Sequence, residues 1–123
     1  MSANIEDPAL LDTAFLGKYT LGDRMLEREV LQMFIDQTDL YLTRLQSPQS
    51  TKDWREAAHS LKGSARGIGA FRVGMRAAQL EQIAEPLLES SRCAILALLR
   101  EDLDETKAAI SDHVKDKSDT FFV

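Results

Sequence analysis

The chain has little of what would indicate a secreted, membrane-spanning or nucleic-acid-binding protein. Its 123 residues include one cysteine, so no disulfide can form within the chain. Cys93 lies in the apolar run Cys-Ala-Ile-Leu and is predicted to be a small core residue. No apolar run approaches the roughly 18 residues that a membrane-spanning helix needs. Acidic residues outnumber basic ones by 20 to 15, and the resulting charge of −5 argues against a nucleic-acid partner.

Recognisable targeting and nucleotide-binding signals are also lacking. The N-terminal residues contain no basic region followed by an apolar segment, so no signal peptide is expected. With one cysteine and no such signal, the expected location is the cytoplasm. There is no Walker loop, and Gly67-Ile68-Gly69 is a lone G-x-G that follows a predicted helix rather than a strand. The sequence therefore gives no reason to expect nucleotide binding or a membrane partner.

What is present fits one globular domain. The chain is 44% hydrophobic and 28% charged, and its length suits one modest core. We predict a single domain over residues 1–123, with a core at about 8–114 and a frayed tail at 115–123. No alternation typical of strands and no internal repeat is visible.

The hydrophobic pattern predicts helices throughout. Asp7 and Pro8 are suited to the N-cap and first position of a short helix. Gly22-Asp23 and the loop at 47–50 separate the next two helices, Gly67-Ile68-Gly69 ends the third, and Pro86 should end the fourth. The predicted helices are 8–19, 23–46, 51–66, about 70 to 86, and about 90 to 114. We therefore predict an all-α fold, an antiparallel up-down four-helix bundle with a short extra N-terminal helix that caps one end.

The third helix directs a histidine away from the core. At about 100° per residue, six residues fall within roughly 60° of one direction and form a core-facing stripe. They are Trp54, Ala57, Ala58, Leu61, Ala65 and Ile68. His59 points roughly 150° away from the centre of that stripe. An imidazole is therefore predicted on the exposed face of the helix.

Positive charge and a missing side chain surround this imidazole. Arg55, Lys62 and Arg66 lie three or four residues from His59 or from one another, the spacing of neighbours on a helix surface. Gly63 is one turn after His59, and a mid-helix glycine costs about 1 kcal/mol relative to alanine. We interpret Gly63 as clearance for another molecule to approach the ring. The stretch 52–76 has a charge balance of +4, against −9 for the rest, which suits an acidic partner.

The run His59-Ser60-Leu61-Lys62-Gly63-Ser64-Ala65 resembles the signature of histidine-containing phosphotransfer (HPt) domains. The pair Leu80-Glu81 matches a leucine-glutamate pair in the family's next helix, and the resemblance covers about residues 8–112. It departs from the family's pattern at Gly67, which adds a glycine, and at Arg66, where a small or polar residue is usual. Partner selection is a possible role for Arg66.

The resemblance implies that His59 is a phosphoacceptor in a two-component phosphorelay. It names Nε2 as the attacking atom and a phospho-aspartate of a receiver domain as the donor. Neutral imidazole suits this role because its unperturbed pKa is about 6.5. Lys62 would stabilise charge on the phosphoryl group. The chain would bind no cofactor itself, and Mg²⁺ would come from the receiver domain. The protein would be a monomeric phosphocarrier rather than an enzyme with kinase activity of its own.

A partner-docking patch is a second expectation. The second helix has an apolar surface broader than the stripe of about 100° that one core contact needs. The N-terminal helix could cover the excess. Alternatively, Leu26, Val30 and Met33 stay exposed near His59 and bind the partner, with Arg55 and Arg66 as charged neighbours.

Three other interpretations remain. His59 as a general base needs an orienting carboxylate and a nucleophile, and Glu56 is the acid one turn away. Metal binding is disfavoured because the positions four residues to either side are arginine and glycine, and His113 is predicted to be a solvated helix residue. A helical scaffold that binds a signalling partner without accepting phosphate is the alternative function.

Overall fold

The computed structural model describes the backbone of residues 7–121 and the side chains of residues 7–115. Its helices are α1 (Thr13–Thr20), α2 (Arg24–Gln46), α3 (Thr51–Ile68), α4 (Phe71–Glu81) and α5 (Glu89–Phe121). α2 to α5 form a ring in which each helix contacts the next and α5 contacts α2, while α1 packs against α2 and α3. Short connections make successive helices antiparallel. The predicted all-α up-down four-helix bundle with an extra N-terminal helix is confirmed.

The apolar face of α3 lies at the centre of the core. All six residues of the predicted stripe are buried. Trp54 has no exposed surface, and its indole Nε1–H donates to the carbonyl of Leu80 at 2.8 Å. The alanines of the stripe leave room for α4 to pack closely. α3 therefore provides both the core and, on its opposite face, the surface that carries His59.

α3 ends two residues later than the sequence predicted. Ile68 continues the buried stripe, so the helix does not end at Gly67. Gly69 takes the left-handed conformation with φ of 90°, and the N–H of Ala70 donates to the carbonyl of Ala65 at 2.9 Å. A glycine thus caps the end of α3, as the sequence predicted, but the helix ends at Ile68 rather than at Arg66. A Cβ on Gly69 would meet the backbone oxygen of Asp12 at 2.8 Å, so only glycine fits there.

The N-terminal segment differs from its prediction because it pairs with the end of α3. Residues 8–12 are not helical, and α1 begins at Thr13 with Asp12, not Asp7, as its N-cap. The N–H of Asp12 donates to the carbonyl of Gly69 at 2.9 Å. The N–H of Arg72 donates to the carbonyl of Ala9 at 3.0 Å, and its guanidinium donates to the carbonyl of Pro8. These long-range bonds outweigh the local preference for a helix at Pro8.

The second half of the bundle also departs from the prediction at two places. α4 ends at Glu81 rather than at Pro86. α5 begins at Glu89 and continues to Phe121; the fraying predicted for residues 115–123 stays a prediction, and residues 122–123 lie outside the described part. Cys93 is exposed on α5 instead of buried in the core. No helix in the described part of the chain is long and apolar enough to cross a membrane.

His113 is not the solvated residue that the sequence predicted. Its Nε2 lies 2.7 Å from Oε1 of Glu27 in the first turn of α2, and the His113 side chain is only 14% exposed. The contact joins residues 86 positions apart. Sequence spacing carries no signal for such a pair, because it depends on how α5 packs against α2.

An ion pair fixes the start of α3 against α2. Nε and Nη2 of Arg44 donate to Oδ1 of Asp53 at 3.0 and 2.7 Å, and the N–H of Gln49 donates to Oδ2 at 3.0 Å. The backbone bond from Gln49, followed by the bond from Arg44, lowers the pKa of Asp53 below its ordinary value of 3.8. Hydrogen bonds to the charged form produce this direction of shift.

We expect Asp53→Asn to lower the thermal midpoint at pH 7. A carboxyl group with a depressed folded-state pKa contributes stability that is present above its unfolded pKa and is lost as the pH falls through the folded one. The difference between the two proteins should therefore shrink below pH 3.8 and vanish in stronger acid. Thermal unfolding followed by circular dichroism between pH 2 and 7 measures it. A constant difference across that range would contradict the assignment, and Asp39→Asn, at an exposed surface pair with Lys107, is the control.

Candidate functional site

His59 lies on the face of α3 opposite the core. Its side chain is 69% exposed, in agreement with the orientation that the helical geometry predicted. Nδ1 lies 3.0 Å from Oε2 of Glu81, the last residue of α4. The imidazole is therefore held on one edge by the neighbouring helix while most of the ring stays open to solvent.

Glu81 also binds Lys62. Nζ of Lys62 donates to Oε1 of Glu81 at 2.7 Å, and both side chains are 21% exposed. This bond is the largest cause of the lowered pKa of Glu81, followed by the opposing effect of burial and then by the bond to His59. With its pKa below the ordinary value of 4.5, Glu81 is ionised at neutral pH. One carboxylate bridges the two side chains of the motif, with one oxygen for each.

The core positions Glu81 for this contact. Leu80 is fully buried, and its carbonyl accepts the indole N–H of Trp54 from α3. This bond holds the end of α4 close to α3. With Leu80 directed into the core, the next residue, Glu81, lies at the surface beside His59. The family resemblance pointed to the pair Leu80-Glu81, but the contact with His59 was not predicted.

The Glu81 contact selects one tautomer of the ring. An ionised carboxylate can only accept hydrogen bonds, so Nδ1 of His59 must carry the hydrogen. In a neutral ring Nε2 then holds the lone pair. A carboxylate that orients an imidazole in this way stabilises positive charge that develops on the ring.

Glu56, the acid that sequence spacing placed nearest to His59, has other contacts. It pairs with Arg44 and Lys52 at 3.8 Å each. The orienting carboxylate comes from α4 instead, 22 residues away in sequence. Sequence spacing on one helix could not identify it. Among the residues that the structure describes, Ser60 and His59 form no hydrogen bond with each other, so they are not a catalytic pair.

Two glycines leave the surface beyond His59 open. A Cβ on Gly63 or Gly67 would meet nothing within 4 Å outside the helix. Both glycines line a groove of about 250 Å³ between α3 and the α1–α2 side of the bundle. The space next to Gly63 is therefore open. Gly67 extends it by one turn, since it lies four residues further along the same face.

The predicted docking residues separate into two groups. Val30 and Met33 line the groove beside Gly63, and Met33 is 57% exposed. Leu26 is exposed at 41% but does not line the groove. Tyr19 of α1 lines it and is 58% exposed. The sequence offered no signal for Tyr19, because its position depends on how α1 packs against α2 and α3.

Arg55 and Arg66 occupy different surroundings. Arg55 lines a shallow depression of about 580 Å³ on the other flank of His59, together with Lys52, Glu56 and Glu81. The stem of Arg66 passes over Gly74 of α4, where a Cβ would lie 3.1 Å from its Cγ. Two further bases of the positive stretch, Arg72 and Arg76, pair with acids of α5. The charge next to the imidazole is therefore smaller than the sequence count suggested.

Ser64 is half-buried at the edge of the groove, between α3 and α2. Its Oγ lies 3.4 Å from Oε1 of Gln37 on α2. Among the side chains that the structure describes, no group of three or more histidine, cysteine, aspartate or glutamate residues could hold a metal ion.

The fold and the site together define a class of protein: a helical bundle that presents an oriented, solvent-exposed histidine. The Hpt domain family matches residues 29–109, two thirds of the chain. The protein belongs to the Hpt domain family. The family acts in phosphotransfer of two-component signalling, as a carrier of phosphoryl groups. No curated protein and no solved structure matches the chain.

Proposed function

We propose that the protein relays a phosphoryl group between His59 and phospho-aspartates of receiver domains. The observation that supports this best is the contact between Nδ1 of His59 and Glu81, which leaves Nε2 as the exposed nucleophile. In the forward step the Nε2 lone pair attacks phosphorus. The bond from phosphorus to the aspartate oxygen breaks, and its electron pair returns to the carboxylate. The return step reverses these changes.

Lys62 would stabilise the phosphoryl group on His59. Its Nζ is bound to Glu81, which is itself in contact with the ring, so the ammonium group is close to the reacting side chain. A lysine is a flexible point charge and can turn from one anion to another. Phosphoryl transfer depends chiefly on positioning and charge stabilisation, which suits a site with no nucleotide machinery.

The groove beside Gly63 would receive the receiver domain. Gly63 and Gly67 give its floor no side chains, and Val30, Met33 and Tyr19 supply apolar surface along one side. Exposed apolar residues grouped beside a reactive side chain are typical of an interaction site. Leu26, Arg55 and Arg66 would contribute at the margin of the contact, Arg55 through its positive charge beside His59.

The metal ion and the kinase activity would come from other proteins. We propose that the receiver domain brings the Mg²⁺ ion and that the protein is a phosphocarrier without kinase activity of its own. We also propose that it acts as a monomer in the cytoplasm. A single cysteine, exposed on α5, is a composition suited to a reducing compartment.

The experiment that tests this function is a transfer screen. The protein is incubated with each phosphorylated receiver domain encoded in the same genome, and acid-labile label on the chain is followed with time. We expect rapid labelling by one or a few receivers. Binding to a receiver with no label on the chain would instead favour the alternative function, a helical adaptor that does not accept phosphate.

We expect Lys62→Ala to slow transfer, or to shorten the lifetime of the phosphohistidine, by about tenfold, the size expected for losing one hydrogen bond to a charged group. Quenched time courses with the cognate receiver measure both quantities. Lys52→Ala is the matched control, since Lys52 lies on the same helix but pairs with Glu56. Equal behaviour of the two variants would show that Lys62 has no charge role.

A further inference from the structure

The side chain of Arg66 lies in a slot that a glycine leaves on the neighbouring helix. Gly74 of α4 is buried, and the side chain of Arg66 and the Cβ of Ala65 cover it. A Cβ built on Gly74 would lie 3.1 Å from Cγ and 3.8 Å from Nε of Arg66. Alanine at position 74 would therefore force the arginine to shift. Arg66 itself is exposed, so its charged end remains at the surface.

Arg66 and Arg55 are the bases of the positive stretch 52–76 that have no carboxylate partner among the residues the structure describes. Each of the other four bases of this stretch pairs with an acid of the chain; they are Lys52, Lys62, Arg72 and Arg76. A planar guanidinium that is held in one place and is not neutralised suits a carboxylate of another molecule, which it can bind through two parallel hydrogen bonds.

Arg66 lies beside the groove and two helical turns from His59. At about 100° per residue, it points within about 20° of the direction of His59, and seven residues separate the two by about 10 Å along α3. The next residue, Gly67, lines the groove that we propose for the receiver domain. With its stem over Gly74, Arg66 is directed toward α4 and away from a phosphoryl group on Nε2. It is placed to contact the partner rather than the reacting atoms.

We propose that Arg66, held in place by Gly74, is a specificity-determining residue that binds a carboxylate on the surface of the partner receiver domain. This inference rests on the proposed function and names the chemistry by which the partner is recognised. A receiver with an aspartate or glutamate opposite Arg66 is bound, whereas one with a lysine or arginine there is repelled. Because Gly74 fixes the side chain before binding, less conformational entropy is lost when the ion pair forms.

The first test separates partner binding from chemistry. Transfer rates are measured against receiver concentration for wild type and Arg66→Ala. We expect the half-saturating receiver concentration to rise about fivefold at low salt, the upper end for an exposed ion pair, with the maximal rate unchanged. The difference should shrink as salt screens the charges. Loading by phosphoramidate, a small donor that needs no docking, and the lifetime of the phosphohistidine should stay at their wild-type values.

Three further variants separate the role of Arg66 from a general effect of charge or structure. Lys107→Ala removes the same charge from α5, across the bundle from α3, and should leave the half-saturating concentration unchanged. Arg66→Lys keeps the charge without the planar fork and should recover part of the loss. Gly74→Ala should raise the half-saturating concentration by less than fivefold in wild type and change nothing in Arg66→Ala, because it acts through the arginine. An equal effect in both backgrounds would overturn the role of Gly74.

A charge exchange identifies the carboxylate of the receiver. Arg66→Glu should bind the cognate receiver more weakly than Arg66→Ala, because it adds repulsion to the lost attraction. Each surface acid of that receiver outside its phosphorylation site is then replaced in turn by lysine. We expect one of these receiver variants to restore transfer with Arg66→Glu and to be a poor partner for wild type. If none restores it, the proposed ion pair is wrong.

The inference and the proposed function can fail separately. If wild-type protein takes no phosphate from any receiver, the relay function is wrong. If wild type accepts phosphate at His59 and Arg66→Ala has the same half-saturating concentration, only the role of Arg66 is wrong. A lower maximal rate or a shorter phosphohistidine lifetime in Arg66→Ala, with half-saturation unchanged, would also contradict that role, since Arg66 would then act on the phosphoryl group.

Discussion

Replacement of His59 by glutamine is expected to abolish acceptance of phosphate from receiver domains. Glutamine has no ring nitrogen and cannot form a phosphoramidate on a nucleophilic imidazole, so label on the chain should fall to background. The His59 side chain is 69% exposed and contributes nothing to the core. Substitution at such a surface position normally changes stability by no more than about 0.5 kcal/mol. Loss of labelling would therefore reflect lost chemistry rather than lost folding.

The matched control is the second histidine of the chain. The sequence contains two histidines, and His113 is 14% exposed and bonded to Glu27. We expect His113→Gln to keep full acid-labile labelling while losing some stability, because it breaks a contact between α2 and α5. Thermal unfolding and time-resolved labelling of both variants give the comparison. Labelling of His59→Gln at the wild-type rate would place the acceptor elsewhere.

Local periodicity was sufficient to predict the orientation of the site. The stripe of α3 is a regular 3.6-residue pattern without interruption, so the six buried positions and the outward direction of His59 follow from it. The same applies to α2, whose predicted start at Gly22-Asp23 agrees with Asp23 as the observed N-cap. Where neighbouring residues alone decide the conformation, the sequence was an adequate guide.

The wrong predictions concern residues whose conformation or burial depends on contacts with distant parts of the chain. Residues 8–12 look helical in isolation but pair with Gly69 and Arg72, some 60 residues away. Cys93 lies in an apolar run, yet Cys93 itself is exposed on α5 while Leu96 of the same run packs into the core. Periodicity describes one element at a time and cannot include such contacts.

The carboxylate that contacts His59 could not be predicted from periodicity either. Sequence spacing identified Glu56 because it is one turn away, whereas the observed acid, Glu81, reaches the ring only because Trp54 holds the end of α4 close to α3. Lys62 was predicted as a phosphate ligand, and its bond to Glu81 was not foreseen. Placing these three side chains together required the packing of α3 against α4.

Gly63→Gln is expected to reduce transfer from a receiver domain by about 100-fold while His59 remains reactive. The groove beside Gly63 is open: apart from the backbone of α3 itself, no atom lies within 4 Å of the position where a Cβ would be. A glutamine there would project into the path of the partner and displace it from His59. A misplacement of about 1 Å in a reacting geometry can cost about 100-fold in rate. The open space also means that the new side chain meets no clash within the bundle, and a helix-interior glycine replaced by a better helix former should not weaken the fold.

Two measurements separate obstruction from chemical damage. Gly63→Gln should accept phosphate from phosphoramidate at the wild-type rate, because that donor is small, and should fail with the cognate receiver. Gly17→Gln is the matched control: Gly17 lies in α1, a Cβ there also meets nothing within 4 Å, and it does not line the groove. Normal transfer by Gly17→Gln together with receiver-specific failure of Gly63→Gln would locate docking in the groove. If Gly63→Gln accepts phosphate from the receiver as fast as wild type, the partner must approach His59 from the opposite flank, over Arg55 and Lys52.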